Sequence, residues 1–111
     1  MTHALGAEMK SCIDNCLKCY SVCVEMAMNH CLEMGGKHVA PRHFRLMAAC
    51  AEVCRTAAHL MLTSSDHHKV MCAICSKVCA DCANDCAELG DMDDCVQACR
   101  KCADSCRKMA G

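Results

Sequence analysis

Tryptophan is absent from this 111-residue chain, and Tyr20 and Phe44 are its only other aromatics, so no ordinary aromatic core is available. Large apolar side chains are scarce as well: Leu, Ile, Val and Phe together number 17, about 15% of the residues. So low a share signals disorder when the net charge is high, but here acids and bases balance to −1. That balance leaves no electrostatic footprint for nucleic acid. No apolar run reaches the ~20 residues that a membrane-spanning helix needs. The start of the chain, MTHALGAEMKSC, lacks a charged segment followed by an apolar one, so no secretory signal is expected. A cytosolic, reducing compartment is the expectation, and a disulfide scaffold does not persist there.

Sulfur is what the chain has in quantity. The 54% of residues classed as hydrophobic include 16 Cys and 10 Met, with Ala contributing another 16. Sixteen thiols in a small cytosolic protein read first as metal ligands.

Punctuation is sparse. Gly35-Gly36 with Pro41, Thr63-Ser64-Ser65-Asp66, and Gly90-Asp91 divide the chain into four segments rich in Ala, Met, Lys, Glu and Arg. Pro41 suits the first turn of a helix, Ser65, Asp66 and Asp91 suit N-caps, and Gly35 and Gly90 suit C-terminal caps. The expected helices span about residues 7–34, 41–62, 66–88 and 91–109, within a single domain covering 1–111.

The cysteines set the period. Met9, Cys12, Cys16, Cys19, Cys23, Met26 and His30 step by 3, 4, 3, 4, 3, 4. The same alternation runs through His68, Cys72, Cys75, Cys79, Cys82 and Cys86, and through Met92, Cys95, Cys99, Cys102, Cys106 and Met109. It marks the core-facing seam of a helix among partner helices. A strand would scatter these thiols over both of its faces.

A repeat underlies the period. C-x3-C-x2-C-x3-C occurs at Cys12 to Cys23, Cys75 to Cys86 and Cys95 to Cys106, and the second segment carries the same spacing as His43, Met47, Cys50 and Cys54. Short connections between four such helices give an all-α, antiparallel four-helix bundle with a Cys-lined core. A lone buried Cys is ordinarily a small hydrophobe and a Met stripe is core filler. Fifteen seam cysteines are different, because Leu would bury more apolar surface and carries no oxidation risk.

Cβ atoms at i and i+4 lie ~5–6 Å apart, whereas a disulfide needs ~3.5–4.5 Å. The pairs 12/16, 19/23, 50/54, 75/79, 82/86, 95/99 and 102/106 are thus poorly placed to bond to each other and well placed to share an ion. Thiolates select Cu(I), Zn(II) or iron–sulfur clusters. A zinc tetrathiolate keeps a charge of −2, and stacking several in one narrow core brings strong repulsion. Cu(I) cancels one thiolate each, so charge neutrality in a buried site points to a capacity on the order of 16 ions. C-x2-C occurs at 16/19, 72/75, 79/82 and 99/102, but inside helical seams rather than in the loops that wrap an iron–sulfur cluster. A zinc or cadmium sink of metallothionein type, and a thiol or iron–sulfur redox protein, stand as the alternatives.

Histidine and methionine gather at the ends of the seams. Antiparallel packing brings His30, Cys31, Met34, His43, Met47 and Met92 to one mouth, and Met9, His59, Met61, His67, His68 and Met109 to the other. Such weaker ligands suit a port passing Cu(I) to inner thiolates. The expected metal ligands are Cys12, Cys16, Cys19, Cys23, Cys31, Cys50, Cys54, Cys72, Cys75, Cys79, Cys82, Cys86, Cys95, Cys99, Cys102 and Cys106, with His30, His43 and Met47. Cys31 is included although it falls one position off the seam. His3, His38, His59 and His67 read as solvated, and charged residues such as Asp81 and Asp85 read as the wet faces of the helices. No catalytic motif competes, so an enzyme is not expected.

The repeated motif on four helices, with His and Met at the seam ends, resembles the bacterial copper storage proteins, and the lack of a signal peptide resembles their cytosolic branch. The resemblance covers roughly Cys12 to Cys106. It implies a bundle whose core thiolates hold many Cu(I) ions, primary ligands in the C-x3-C pairs, and commonly a homotetramer. The chain departs from that pattern at His43 and Met47, which put an imidazole and a thioether at seam positions in place of thiols.

Overall fold

The computed structural model describes residues 5–111, so His3 lies outside the described part. Helix α1 (Ala7–Glu25) continues through a π-helical turn (Met26–Cys31) into the short α2 (Leu32–Met34), making one long rod. A 3-10 turn (Gly36–Val39) leads to α3 (Pro41–Leu62), followed by α4 (His68–Leu89) and α5 (Asp93–Ala110). The described residues contain no strand.

The breaks follow from local chemistry. Gly35 at φ 65° and ψ −157°, and Gly90 at φ 86° and ψ 162°, take a positive-φ extended conformation open essentially only to glycine, and there the first rod and α4 end. Pro41 occupies the first turn of α3, where its missing N–H is no loss. Helices α4 and α5 begin two residues later than the sequence pattern suggests. Before α4, the His67 N–H donates to Ser65 Oγ at 3.1 Å and holds a turn. Before α5, Asp91 sits at φ 57°, outside helical space.

The four rods pack side by side in the order α1, α3, α4, α5, with α5 closing back onto α1. Each runs against its neighbour, giving an elongated body of 54 × 22 × 19 Å. No described helix is long and apolar enough to cross a membrane.

All sixteen cysteines are 0% exposed. With them are buried Met47, Met61 and Met92 and six alanines, while Ile13 and Val96 are the only buried branched aliphatics among the described residues. Larger side chains such as Val22, Phe44, Leu46, Val53 and Val78 pack against this sulfur column from outside, half-buried. They supply the apolar burial that cysteines alone give poorly.

The π turn changes one expectation. An unbroken α-helix would carry the seam from Cys23 through Met26 to His30. The extra residue in the π turn rotates the chain, so that Ala27 and Cys31 face the core and are buried, while Met26 and His30 are only half-buried. Cys31, expected off the seam, is therefore on it, and His30 is displaced from it.

Candidate metal centre

The seams of four helices interleave their sulfurs along one axis. Where the start of α1 meets the end of α5, Cys12, Cys72 and Cys106 form a triad, and Cys12 and Cys106 are 3.6 Å apart. Next comes the quartet Cys16, Cys75, Cys102 and Cys106, with Cys16 3.4 Å from Cys106. Further quartets follow: Cys54, Cys75, Cys79 and Cys102; Cys19, Cys50, Cys54 and Cys79; Cys19, Cys23, Cys50 and Cys99. In each set all ligand atoms lie within 4.8 Å of one another. Separations between helices are as short as 3.3 Å for Cys54 and Cys79. Along single helices, Cys75 and Cys79 stand 3.7 Å apart and Cys82 and Cys86 4.0 Å. With metal–sulfur bonds of about 2.3 Å, one ion reaches both members of such a pair. All sixteen thiols are free.

These sets are not separate sites. Neighbouring quartets share two thiols each, and no more than two quartets can be chosen that share none. Closed tetrahedral zinc sites would therefore occupy only eight of the sixteen cysteines without bridging. A ladder of shared thiolates is instead the arrangement that ions of low coordination number can fill continuously.

Mutual hydrogen bonding and burial spread the thiol acidities apart. Cys50 is pushed up by its sulfur neighbours, Cys19 first, and Cys102 by Cys106 and then Cys16, with burial adding to both. Cys75 is pulled down by the neighbouring sulfurs, Cys102 first, then Cys106 and Cys16. Burial raises Cys31, and a negative charge on Cys86 would raise it further.

At the opposite mouth the donor set changes. The Cys31 Sγ lies 3.7 Å from His43 Nε2, 3.9 Å from Met47 Sδ and 3.8 Å from Met92 Sδ. His43 Nδ1 donates to the Asp85 carboxylate at 2.6 Å, and the other Asp85 oxygen accepts from Arg42 at 3.2 Å.

Of the residues picked out in the sequence, twelve cysteines fall in the compact sets; Cys31, Cys82, Cys86 and Cys95 are buried but outside them. His43 and Met47 converge on Cys31, whereas His30 does not. It packs edge-to-face on His38, with ring centroids 5.4 Å apart. His38 is buried rather than solvated as expected, and the Nε2 atoms of both rings lack a hydrogen-bond partner. Met34, placed at this mouth by the sequence pattern, is 52% exposed. At the far end Met61 is buried, Met9 and Met109 are half-buried, His59 and His67 are exposed, and His68 Nδ1 donates to the Ser65 carbonyl at 2.9 Å. Sequence reasoning passed over Asp85 as a ligand-holding residue. Nothing in the spacing separates it from Asp81 one turn earlier.

Residues 6–111 match the copper storage protein family. A cysteine-rich protein of Bacillus subtilis (strain 168), YhjQ, described as uncharacterized, is 35% identical over 92 residues, covering 83% of this chain and 82% of its own. Among solved structures, the Nmul_A1745 protein of Nitrosospira multiformis is 50% identical with a TM-score of 0.91, covering 93% of this chain and 94% of that one. The Cu(I)-bound copper storage protein BsCsp3 is 33% identical with a TM-score of 0.86, over 94% of this chain and 99% of its own. The apo form of the Bacillus subtilis protein CSP3 is 32% identical with a TM-score of 0.77, over 92% and 98%.

Proposed function

The chain belongs to the copper storage protein family, and from that premise we propose that it stores and buffers many Cu(I) ions in the cytosol through its core thiolates. The observation that carries this reading is the ladder of overlapping thiol sets, which suits bridging by monovalent, low-coordinate ions. One Cu(I) per thiolate keeps the buried column neutral, whereas divalent ions in closed sites leave half of it unused. The ligand set is the sixteen cysteines, with His43 and Met47 serving beside Cys31 at the mouth. His30, half-buried and packed on His38, is the weakest member of the expected set.

The role is binding rather than catalysis. Each ion displaces thiol protons, so uptake releases acid. The mouth formed by Cys31, His43, Met47 and Met92 offers mixed, weaker donors suited to passing Cu(I) inward. The partners are copper ions and other copies of this chain, in the homotetramer that the family resemblance implies.

The test is a competition. Reduced apo protein is incubated anaerobically with equal amounts of Cu(I) and Zn(II), desalted, and assayed for both metals. Copper in large excess over zinc, with prebound zinc expelled, supports the store. Retention of about two zinc ions against copper, the number of closed tetrathiol sites the ladder allows, would replace it with a zinc sink.

A further inference from the structure

Asp85 is the one carboxylate seen to bridge α3 and α4 at the mouth. Its two oxygens are divided: one accepts from His43 Nδ1 at 2.6 Å, the other from Arg42 at 3.2 Å. His43 is 5% exposed and Asp85 17%, so the contact is largely shielded, while Arg42 lies at the surface with 84% exposure and pins the carboxylate from the solvent side. A carboxylate in this position only accepts, so the Nδ1 proton stays with the ring. Neutral imidazole has one proton to place. Committing it to Nδ1 leaves the Nε2 lone pair pointing at the Cys31 sulfur 3.7 Å away.

We propose that Asp85 is a positioning residue for copper uptake. By fixing the tautomer and orientation of His43, it keeps Nε2 ready as a donor beside Cys31, Met47 and Met92. The inference rests on the copper-store reading above and deepens it. Without Asp85 the ring could take the opposite tautomer, with Nε2–H donating toward Cys31, and one of the four donors would be lost. An ion arriving at the mouth would then meet a blocked nitrogen beside the Cys31 sulfur and two thioethers. Partners of this kind behind metal-ligating histidines change affinity by roughly 10–100-fold when removed.

Two measurements on the full chain test the idea. First, nitrogen-15 correlation spectra of reduced apo protein report the His43 tautomer. Nδ1–H is expected in the native chain, and Nε2–H would overturn the proposal whatever any variant does. Second, stopped-flow loading from a weak Cu(I) chelate is compared for the native chain, D85N, D85E and D81N, the last changing an exposed carboxylate one turn earlier. The expected result is loading slowed roughly tenfold or more in D85N, partly rescued in D85E and unchanged in D81N, with the final copper content the same in all. Equal loading rates in D85N and native protein would overturn it, as would equal slowing in D81N. A low copper content in the native chain would instead undo the storage reading, leaving the tautomer result to be judged separately.

Discussion

At the scale of single residues, the cysteines are both the core and the site, and each substitution touches both. Cys102 shows this most clearly: its sulfur lies 3.6 Å from Cys16, 3.7 Å from Cys54 and 3.9 Å from both Cys75 and Cys106. Cys102→Ala leaves a small void and is expected to destabilise the apo bundle by about 1 kcal/mol, the cost of a modest core truncation. It should also lower copper capacity by more than the same change at Cys31, because Cys102 belongs to two quartets and Cys31 to none. Chemical denaturation and metal analysis of the two variants check both statements. The thiol acidities give a pH dependence. Cys50 and Cys102 are pushed up by their sulfur neighbours and by burial, so they keep their protons when the unfolded chain, with thiols near pH ~8.5, has lost its own. The unfolded state then binds fewer protons, and stability falls as pH rises. Thiols pulled down, such as Cys75, contribute in the opposite sense, but that contribution is complete once the unfolded thiols have ionised. The apo melting temperature should therefore fall above about pH 8.5, and a flat profile up to pH 10 would contradict this.

At the scale of elements, the 3-4 alternation sufficed to find α4 and α5, where a thiol every turn leaves no other period to fit, and α3, where His43 and Met47 continue the spacing of Cys50 and Cys54. The fold was legible for that reason, even with few branched aliphatics. What stayed hidden is the π turn at Met26–Cys31, since no residue there demands an i to i+5 hydrogen bond. Its consequence is local and large: it exchanges His30 for Cys31 at the mouth. The Asp85 contact to His43 was equally invisible, because it joins residues 42 positions apart on different helices. A deletion tests the role of the extra residue. Removing Met28, which is 51% exposed, should restore an unbroken α-helix and still leave Cys31 facing the core. Copper capacity and helix content should then match the native chain. Loss of the fold would mean that the π turn does more than set the register.

At the scale of the whole molecule, the sulfur column is sheathed by helix-forming segments and half-buried Val, Leu and Phe. The bundle is accordingly expected to fold before metal arrives, so apo protein should give a strongly helical circular dichroism spectrum. Copper would then add to thermal stability through mass action rather than create the fold. A mostly unfolded apo chain that becomes helical only on loading would place this protein with metal-templated folds instead. The measurement that bears most directly on the central claim is an anaerobic titration of reduced apo protein with Cu(I) against a competing Cu(I) chelator. A continuous ladder of neutral thiolate sites should take up well over one ion per two thiols, approaching about one per thiol, and hold them against the chelator. Saturation at a handful of ions, or ready loss of them to the chelator, would contradict it.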